Sequence, residues 1–142
     1  GAGCIRPLEA DLSQPWPPQL EGADRILLDA PCSGLGILGR APEARWRKRP
    51  DDAARLAPLQ RRLLTGALQA LAPGGRLVYA VCSTDPLEGE EVVTAALADA
   101  PATLVLQPPP HLTESVAGPG LLIPPGIGGR DGFFMAALGR PG

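Results

Sequence analysis

Residues 26–34 read ILLDAPCSG, and the rest of the chain is organised around this stretch. The uninterrupted apolar run at its start is typical of a parallel strand that is covered on both faces. We expect this strand over residues 24–29, which places Asp29 at its end and Cys32 in the loop that follows. A thiol just past a buried strand stands where open α/β sheets bind their ligands.

A second stretch, residues 77–84 (LVYAVCST), has the same form. Its strand is expected over 76–81, with Cys82 directly after it. If the two strands are neighbours and parallel, both thiols reach the same edge of the sheet. The sequence therefore predicts one crevice that contains Cys32 and Cys82.

The segment between the two strands predicts a helix, which makes a right-handed βαβ unit. Asp51 or Asp52 is the expected cap, and Pro58 predicts a later start or a kink. The Pro-Gly-Gly run at 73–75 is expected to end the helix. The other expected elements are a short strand within 4–11, a helix over 88–98, a strand over 103–106, a long loop over 107–130 and a last strand over 131–138.

Bulk composition excludes several classes of protein. The length of 142 residues is that of one domain, and 18 prolines with 18 glycines predict long loops. A net charge of −2 gives no general argument for nucleic-acid binding. Three cysteines without CxxC spacing argue against a disulfide scaffold or a metal site. Without a signal-peptide pattern or a long apolar run, we expect a soluble cytoplasmic protein.

Residues 34–39 (GLGILG) match the G-x-G-x-x-G pattern of dinucleotide-binding loops. Arg40-Ala41-Pro42 follows where that fold needs a helix, and no acidic residue stands about 20 positions further on. We therefore interpret the stretch as a flexible loop, not as a cofactor fingerprint.

The three cysteines receive different interpretations. Cys4 lies in a weak strand pattern and is expected to fill space, as most free cysteines do. Cys32 and Cys82 stand past strand ends beside polar residues, which favours reactivity, and the thiolate is the attacking form. The single histidine, His111, is expected in the loop, which argues against a Cys-His hydrolase. A reaction in which the substrate itself is activated fits these cysteines better than a Cys-His hydrolase does.

A basic cluster at residues 40–62 holds eight of the thirteen basic residues. Arginine forks and an aromatic plane suit phosphate contact and base stacking on RNA, although a solvated surface is the simpler alternative. Its position directly after the Cys32 loop favours substrate contact. The candidate RNA-binding residues are Arg45, Trp46, Arg47, Lys48 and Arg49.

Residues 29–34 (DAPCSG) and 79–84 (YAVCST) together resemble the motif pair of RNA cytosine-5 methyltransferases. The closer resemblance is to the Fmu/Sun group, which modifies small-subunit ribosomal RNA. It extends over nearly the whole chain, through Arg45-Trp46, Leu59-Gln60, the runs at 73–75 and 86–90, and the terminal DGFF at 131–134.

The resemblance implies a role for each matching residue. Cys82 would be the nucleophile that adds to C6 of the target cytosine, so that C5 can accept a methyl group from S-adenosylmethionine. Cys32 would assist removal of the C5 proton and release of the product. Asp29 would bind the N3 edge of the cytosine. The residues implied at the cofactor are Asp11, Asp29, Ala30 and Pro31.

Two departures from the family pattern matter. Val81 stands where threonine is common, which removes a hydroxyl but not the nucleophile. The Gly-rich cofactor loop of the family would precede Asp11, so we expect residues 1–142 to be the C-terminal part of a catalytic domain, without that loop and without the N-terminal RNA-binding region.

The expected fold is α/β: the second half of a Rossmann-like S-adenosylmethionine-dependent methyltransferase, with a mostly parallel sheet and one antiparallel strand. Alone, the chain is expected to be inactive and to bind cofactor weakly or not at all. Because its half-sheet is exposed, it is expected to self-associate or to be marginally stable. The alternative function is a non-catalytic RNA-binding or regulatory fragment that retains the motifs.

Overall fold

One mixed sheet of six strands carries both cysteine loops. The computed structural model describes residues 3–100, 102–105, 116–126 and 129–142. The strands are β1 (Ala23–Asp29), β2 (Leu71–Val81), β3 (Thr103–Leu104), β4 (Val116–Ala117), β5 (Gly120–Ile123) and β6 (Phe133–Gly139). Their order is β1-β2-β6-β5-β4, with β3 paired to β6. The helices are α1 (Asp52–Ala70) and α2 (Glu90–Asp99), and 3-10 turns cover Pro18–Leu20, Leu35–Ile37 and Pro42–Arg47.

The predicted βαβ unit is confirmed. β1 and β2 are parallel neighbours, and α1 connects them. Leu28 pairs with Tyr79 and Asp29 with Ala80, so the two strands end at nearly the same level. This register brings the two following loops to one edge of the sheet.

Helix α1 begins at Asp52 and continues through Pro58 without a later start. Its buried face includes Gln60, Leu64 and Leu68, which recur at the four-residue spacing of one helix face. The helix ends at Ala70, before the Pro-Gly-Gly run. That run lies inside the span of β2, where the pairing jumps from Ala23↔Leu71 to Arg25↔Arg76. Three extra residues therefore bulge out of β2.

The sheet is less parallel than expected, since one described pair is parallel and four are antiparallel. The difference arises because the antiparallel strand β6 pairs with β2, β3 and β5, and because β4 and β5 form a hairpin inside the segment that was expected to be a long loop. Gly118 supplies its turn with φ +52°, a value that favours glycine. The parts of that loop at 107–115 and 127–128, with His111, lie outside the described residues.

Two smaller expectations need correction. No strand forms within residues 4–11, where every side chain is exposed and no strand of the described chain lies alongside. Helix α2 begins at Glu90, because the backbone N–H groups of Glu88 and Gly89 bind Asp85 O and form a turn first. The strand expected over 103–106 is Thr103–Leu104, and Leu106 lies outside the described residues.

Both helices cover the same face of the sheet. Leu64 of α1 and Val93 of α2 join Leu77 and Tyr79 of β2 in one buried cluster. The opposite face leaves Leu27 73% and Val78 37% exposed, although parallel strands are usually covered on both faces. Self-association through this face stays a prediction. None of the helices in the described ranges combines the length and apolarity that a membrane crossing needs.

Candidate active site at the ends of two parallel strands

The two loops that follow β1 and β2 bring their thiols into contact. The Sγ atoms of Cys32 and Cys82 lie 3.2 Å apart, both partly buried and both free of disulfides. The loops begin in register, since Ala30 N–H still donates to Ala80 O at 3.1 Å. The predicted juxtaposition of the thiols is confirmed, whereas Cys4 is exposed and not buried as expected.

The environment of Cys32 favours its neutral thiol. Burial, the hydrogen bond between the thiols of Cys32 and Cys82, and the nearby Glu88 carboxylate together raise the pKa of Cys32 to about 12. The backbone N–H of Gly34 opposes these effects and lowers the pKa of Cys32. Cys32 therefore keeps its proton at neutral pH, and that proton can be donated toward the sulfur of Cys82.

The buried carboxylate of Glu88 anchors the Cys32 loop through hydrogen bonds. Glu88 is 0% exposed, and its carboxylate accepts hydrogen bonds from the Ser33 N–H at 2.7 Å, the Ser33 hydroxyl and Gln60 Nε2 at 3.0 Å. Its backbone carbonyl accepts from the Tyr79 hydroxyl at 2.7 Å. A buried carboxylate is costly unless it is hydrogen-bonded, and these three donors meet that requirement.

Sequence reasoning missed this network. The sequence places Glu88 only at the start of the helix expected over 88–98 and in the run at 86–90, and Gln60 only in the Leu59-Gln60 match. The available signal was Gln60, a polar residue on the leucine-lined face of a predicted helix. A buried amide needs partners, and both of its partners here lie beside the thiols, at Pro31 O (2.8 Å) and Glu88.

The glycine-rich stretch at 34–39 is packed and not an open flexible loop. Leu35–Ile37 form one 3-10 turn, and Gly36 N–H donates to Cys82 O at 3.0 Å. Gly132 N–H donates to Gly36 O at 2.8 Å, and a Cβ on Gly36 would stand 2.0 Å from Gly132 O. Only glycine allows this approach between the Cys32 loop and the start of β6. In the described chain the next element is the 3-10 turn Pro42–Arg47, and not the helix of a dinucleotide-binding loop.

Three of the four residues expected at the cofactor are exposed. Asp29 is exposed at the end of β1, Ala30 is buried, and Pro31 is exposed with its carbonyl bound by Gln60. Asp11 is exposed and accepts from the hydroxyl and the N–H of Ser13, and these bonds hold the pKa of Asp11 below its usual value. Neither carboxylate lines the cavity beside Cys32 or the larger cavity described below.

The candidate RNA-binding segment lies beside Cys32. Lys48 Nζ donates to the backbone carbonyl of Ser33, next to the thiol. Arg47 and Lys48 line a cavity of about 360 Å³ together with Cys32 itself. Trp46 is 84% exposed on the 3-10 turn Pro42–Arg47, so its ring is open to solvent. Arg45 and Arg49 are also exposed.

The wider basic cluster at 40–62 is not one continuous surface. Three of its arginines form ion pairs with carboxylates: Arg40 with Asp131 (2.9 Å), Arg55 with Asp52 (2.6 Å) and Arg61 with Asp99 (2.6 Å). In the described part of the chain, no ion pair is seen for the arginines of the run at 45–49. This leaves that run as the accessible positive charge near the thiols.

A larger cavity, of about 680 Å³, lies at the opposite end of the sheet. It is lined by Gly22 and Leu71, at the starts of β1 and β2, and by Trp16, Arg62 and Thr65. It contains none of the candidate catalytic, cofactor-binding or RNA-binding residues that the sequence predicts. Size alone would point to this cavity, whereas Cys32 and two residues of the basic run at 45–49 line the smaller one.

Comparison with known proteins finds relatives that are named as ribosomal RNA methyltransferases. The family model described as 16S rRNA methyltransferase RsmB/F matches residues 3–139. Ribosomal RNA small subunit methyltransferase B of Vibrio cholerae is 45% identical over 122 residues, which are 86% of this chain and 27% of that protein. The protein of the same name from Thermus thermophilus is 45% identical over 130 residues, 92% of this chain and 32% of that protein. The chain thus spans about a quarter to a third of these relatives.

Solved structures agree with the fold. A methyltransferase homologue from Pyrococcus horikoshii is 30% identical with a TM-score of 0.68, covering 84% of this chain and 40% of that one. NSun6 from the same organism, solved with SFG, is 26% identical with a TM-score of 0.71, covering 94% of this chain and 34% of that one. The α/β fold is therefore that of Rossmann-like methyltransferases. Since the family model matches nearly every residue, the chain belongs to the 16S rRNA methyltransferase RsmB/F family.

Proposed function

We propose that this chain is the thiol-bearing part of an enzyme that methylates cytosine C5 in small-subunit ribosomal RNA, with S-adenosylmethionine as the methyl donor. The observation that carries the proposal is the 3.2 Å contact between Cys32 Sγ and Cys82 Sγ at the ends of two parallel strands. Methylation through a covalent adduct needs one sulfur to attack and a second group to assist its release. Relatives named as ribosomal RNA small subunit methyltransferases support the same class of reaction.

Cys82 is the attacking sulfur in this proposal. Its Sγ forms a bond to C6 of the cytosine, and the displaced electron pair makes C5 nucleophilic enough to accept a methyl group. S-adenosylmethionine supplies that methyl group when it is bound. Because the environment of Cys32 holds a proton on its thiol, the attack falls to Cys82.

Cys32 acts in the second half of the reaction. The Cys32 thiol first gives its proton to solvent, and its thiolate then takes the C5 proton, so that the C5–C6 double bond forms again and the bond between C6 and Cys82 Sγ breaks to return a thiolate. Cys32 is assigned to this elimination because its sulfur is in contact with that of Cys82. A thiol of raised pKa is a strong base once it is deprotonated.

The exposed residues expected at the cofactor fit it chemically. The carboxylates of Asp11 and Asp29 can accept hydrogen bonds from ribose hydroxyl and adenine amino groups. NSun6 was solved with SFG, an analogue of S-adenosylmethionine. Both carboxylates are exposed in this chain, so they can bind but do not enclose a ligand.

The RNA would approach over the run at 45–49. Arg47 and Lys48 beside Cys32 suit the phosphates that flank the target, and the exposed Trp46 ring suits stacking on an unpaired base. A cytosine must leave its stack to reach a partly buried thiol, which favours a target in a loop or in locally opened RNA.

A chimera tests the proposal. Residues 3–139 replace the matching segment of the Thermus thermophilus relative, and the product is incubated with labelled S-adenosylmethionine and small-subunit ribosomal RNA. We expect labelled 5-methylcytidine after digestion of the RNA. The chain alone is expected to give none, because Asp11 and Asp29 are open to solvent.

A chimera that binds the RNA but yields no 5-methylcytidine would contradict the proposal. That outcome would instead support the alternative, a non-catalytic RNA-binding fragment. An RNA-binding fragment would account for the basic run at 45–49 and for the exposed Trp46. It would not explain why two thiols are in contact.

A further inference from the structure

We propose that Glu88 is a positioning residue for the thiol pair: its buried carboxylate holds the Cys32 loop against the loop that carries Cys82. The geometric part of this proposal stands on the hydrogen bonds alone. Its meaning for catalysis rests on the proposed function.

The peptide groups on both sides of Cys32 are held by this network. The N–H of Ser33, directly after Cys32, donates to Glu88 Oε1 at 2.7 Å. The carbonyl of Pro31, directly before Cys32, accepts from Gln60 Nε2 at 2.8 Å. Gln60 Nε2 also donates to Glu88 Oε1 at 3.0 Å, so one carboxylate oxygen joins the two anchors. Cys32 cannot move away from Cys82 unless these bonds break.

Glu88 is itself fixed relative to Cys82. Its carbonyl accepts from the hydroxyl of Tyr79, which lies on β2 three residues before Cys82. Between them, Asp85 O accepts from Glu88 N–H, and Asp85 N–H donates to Ser83 Oγ. The Glu88 carboxylate therefore links the end of β2 to the loop that follows β1, which carries Cys32.

The charge of Glu88 also acts on Cys32. The titratable groups nearest to Cys32 are the Cys82 thiol, the Glu88 carboxylate and the Tyr79 hydroxyl, and Lys48 Nζ donates to the carbonyl of Ser33. The other charged residues that line the cavity beside Cys32 are Glu43, Arg47, Asp52 and Arg55. A negative carboxylate disfavours the Cys32 thiolate. Removing that charge lowers the pKa of Cys32, and loosening its loop acts in the same direction by admitting water.

The test measures thiol reactivity in the 142-residue chain, so it does not depend on methyl transfer. Alkylation of Cys32 and Cys82 by iodoacetamide is followed against pH by peptide mass spectrometry. Glu88→Gln keeps the size of the side chain and removes the charge. The matched control is Glu91→Gln, an exposed residue in the first turn of α2. Thermal melting shows that each variant is folded.

We expect Glu88→Gln to move the Cys32 alkylation curve about one unit to lower pH, which is about a tenfold faster reaction at fixed pH. Glu91→Gln should leave the curve unchanged. A second variant, Gln60→Met, removes the donor that holds Pro31 and should accelerate Cys32 in the same direction. If Glu88→Gln does not fold, the Cys32 alkylation curve of Gln60→Met decides whether the proposal holds.

An unchanged Cys32 curve in a folded Glu88→Gln protein overturns the proposal, as does an unchanged curve in folded Gln60→Met. In the chimera, Glu88→Gln should lower kcat with little change in KM for RNA. A chimera without activity but with the expected alkylation curves would refute the proposed function and leave the positioning role intact.

Discussion

Replacing Cys82 with alanine in the chimera is expected to lower methyl transfer to ribosomal RNA on the order of 10³-fold or more, the scale seen when a nucleophile is removed. The reason is that C5 of cytosine becomes a methyl acceptor only after a sulfur has added to C6. The measurement is incorporation of labelled methyl groups into small-subunit ribosomal RNA. RNA binding should persist, because the basic run at 45–49 is untouched.

The matched control is Cys4→Ala, which changes an exposed thiol outside the site and should retain full activity. Activity in Cys82→Ala comparable with that of the control would contradict the covalent mechanism. Equal losses in the two variants would show a general effect of cysteine removal.

Replacing Gly36 with alanine is expected to reduce the free energy of unfolding by about 1–3 kcal/mol, the usual range for overpacking. The added Cβ would stand 2.0 Å from the backbone oxygen of Gly132, and a backbone atom cannot move aside as a flexible side chain can. Relief requires that the Cys32 loop and the segment before β6 separate, which breaks the hydrogen bond from Gly132 N–H to Gly36 O. Urea unfolding of the 142-residue chain measures the effect.

Gly39→Ala is the control, since nothing lies within 4 Å of a Cβ at that position. It should change the free energy of unfolding by less than about 0.5 kcal/mol, as most surface substitutions do. Equal values for the two variants would show that the contact between Gly36 and Gly132 does not constrain the loop.

The βαβ unit could be predicted because its signals are local. An apolar run marks each parallel strand, and leucines at helical spacing mark the helix between them. β1 was expected over 24–29 and forms at Ala23–Asp29. The meeting of Cys32 and Cys82 then follows from parallel pairing, without knowledge of any distance.

Features that depend on distant partners could not be predicted. Nothing within the run at 86–90 shows that the Glu88 carboxylate will bind Ser33 and Gln60, which lie 55 and 28 residues away. Gly36 looked like a residue of an open loop because its neighbour, Gly132, is almost a hundred residues distant in the sequence.

Composition misled the prediction elsewhere. The segment at 107–130 is rich in proline and glycine, yet Gly118 and Pro119 turn the hairpin of β4 and β5 within it. Residues 4–11 show the opposite error, because a strand-like pattern forms a strand only where a neighbouring strand can pair with it.

Covalent trapping in a Cys32→Ala chimera tests the central claim most directly. With Cys32 absent, Cys82 can add to the cytosine but lacks the thiol assigned to its release. After incubation with ribosomal RNA and S-adenosylmethionine, we predict a protein–RNA adduct that survives denaturing electrophoresis and maps to Cys82 by mass spectrometry. Cys32→Ala combined with Cys82→Ala should form none. A Cys32→Ala chimera that binds the RNA without forming an adduct, or an adduct that persists in the double variant, would contradict the account.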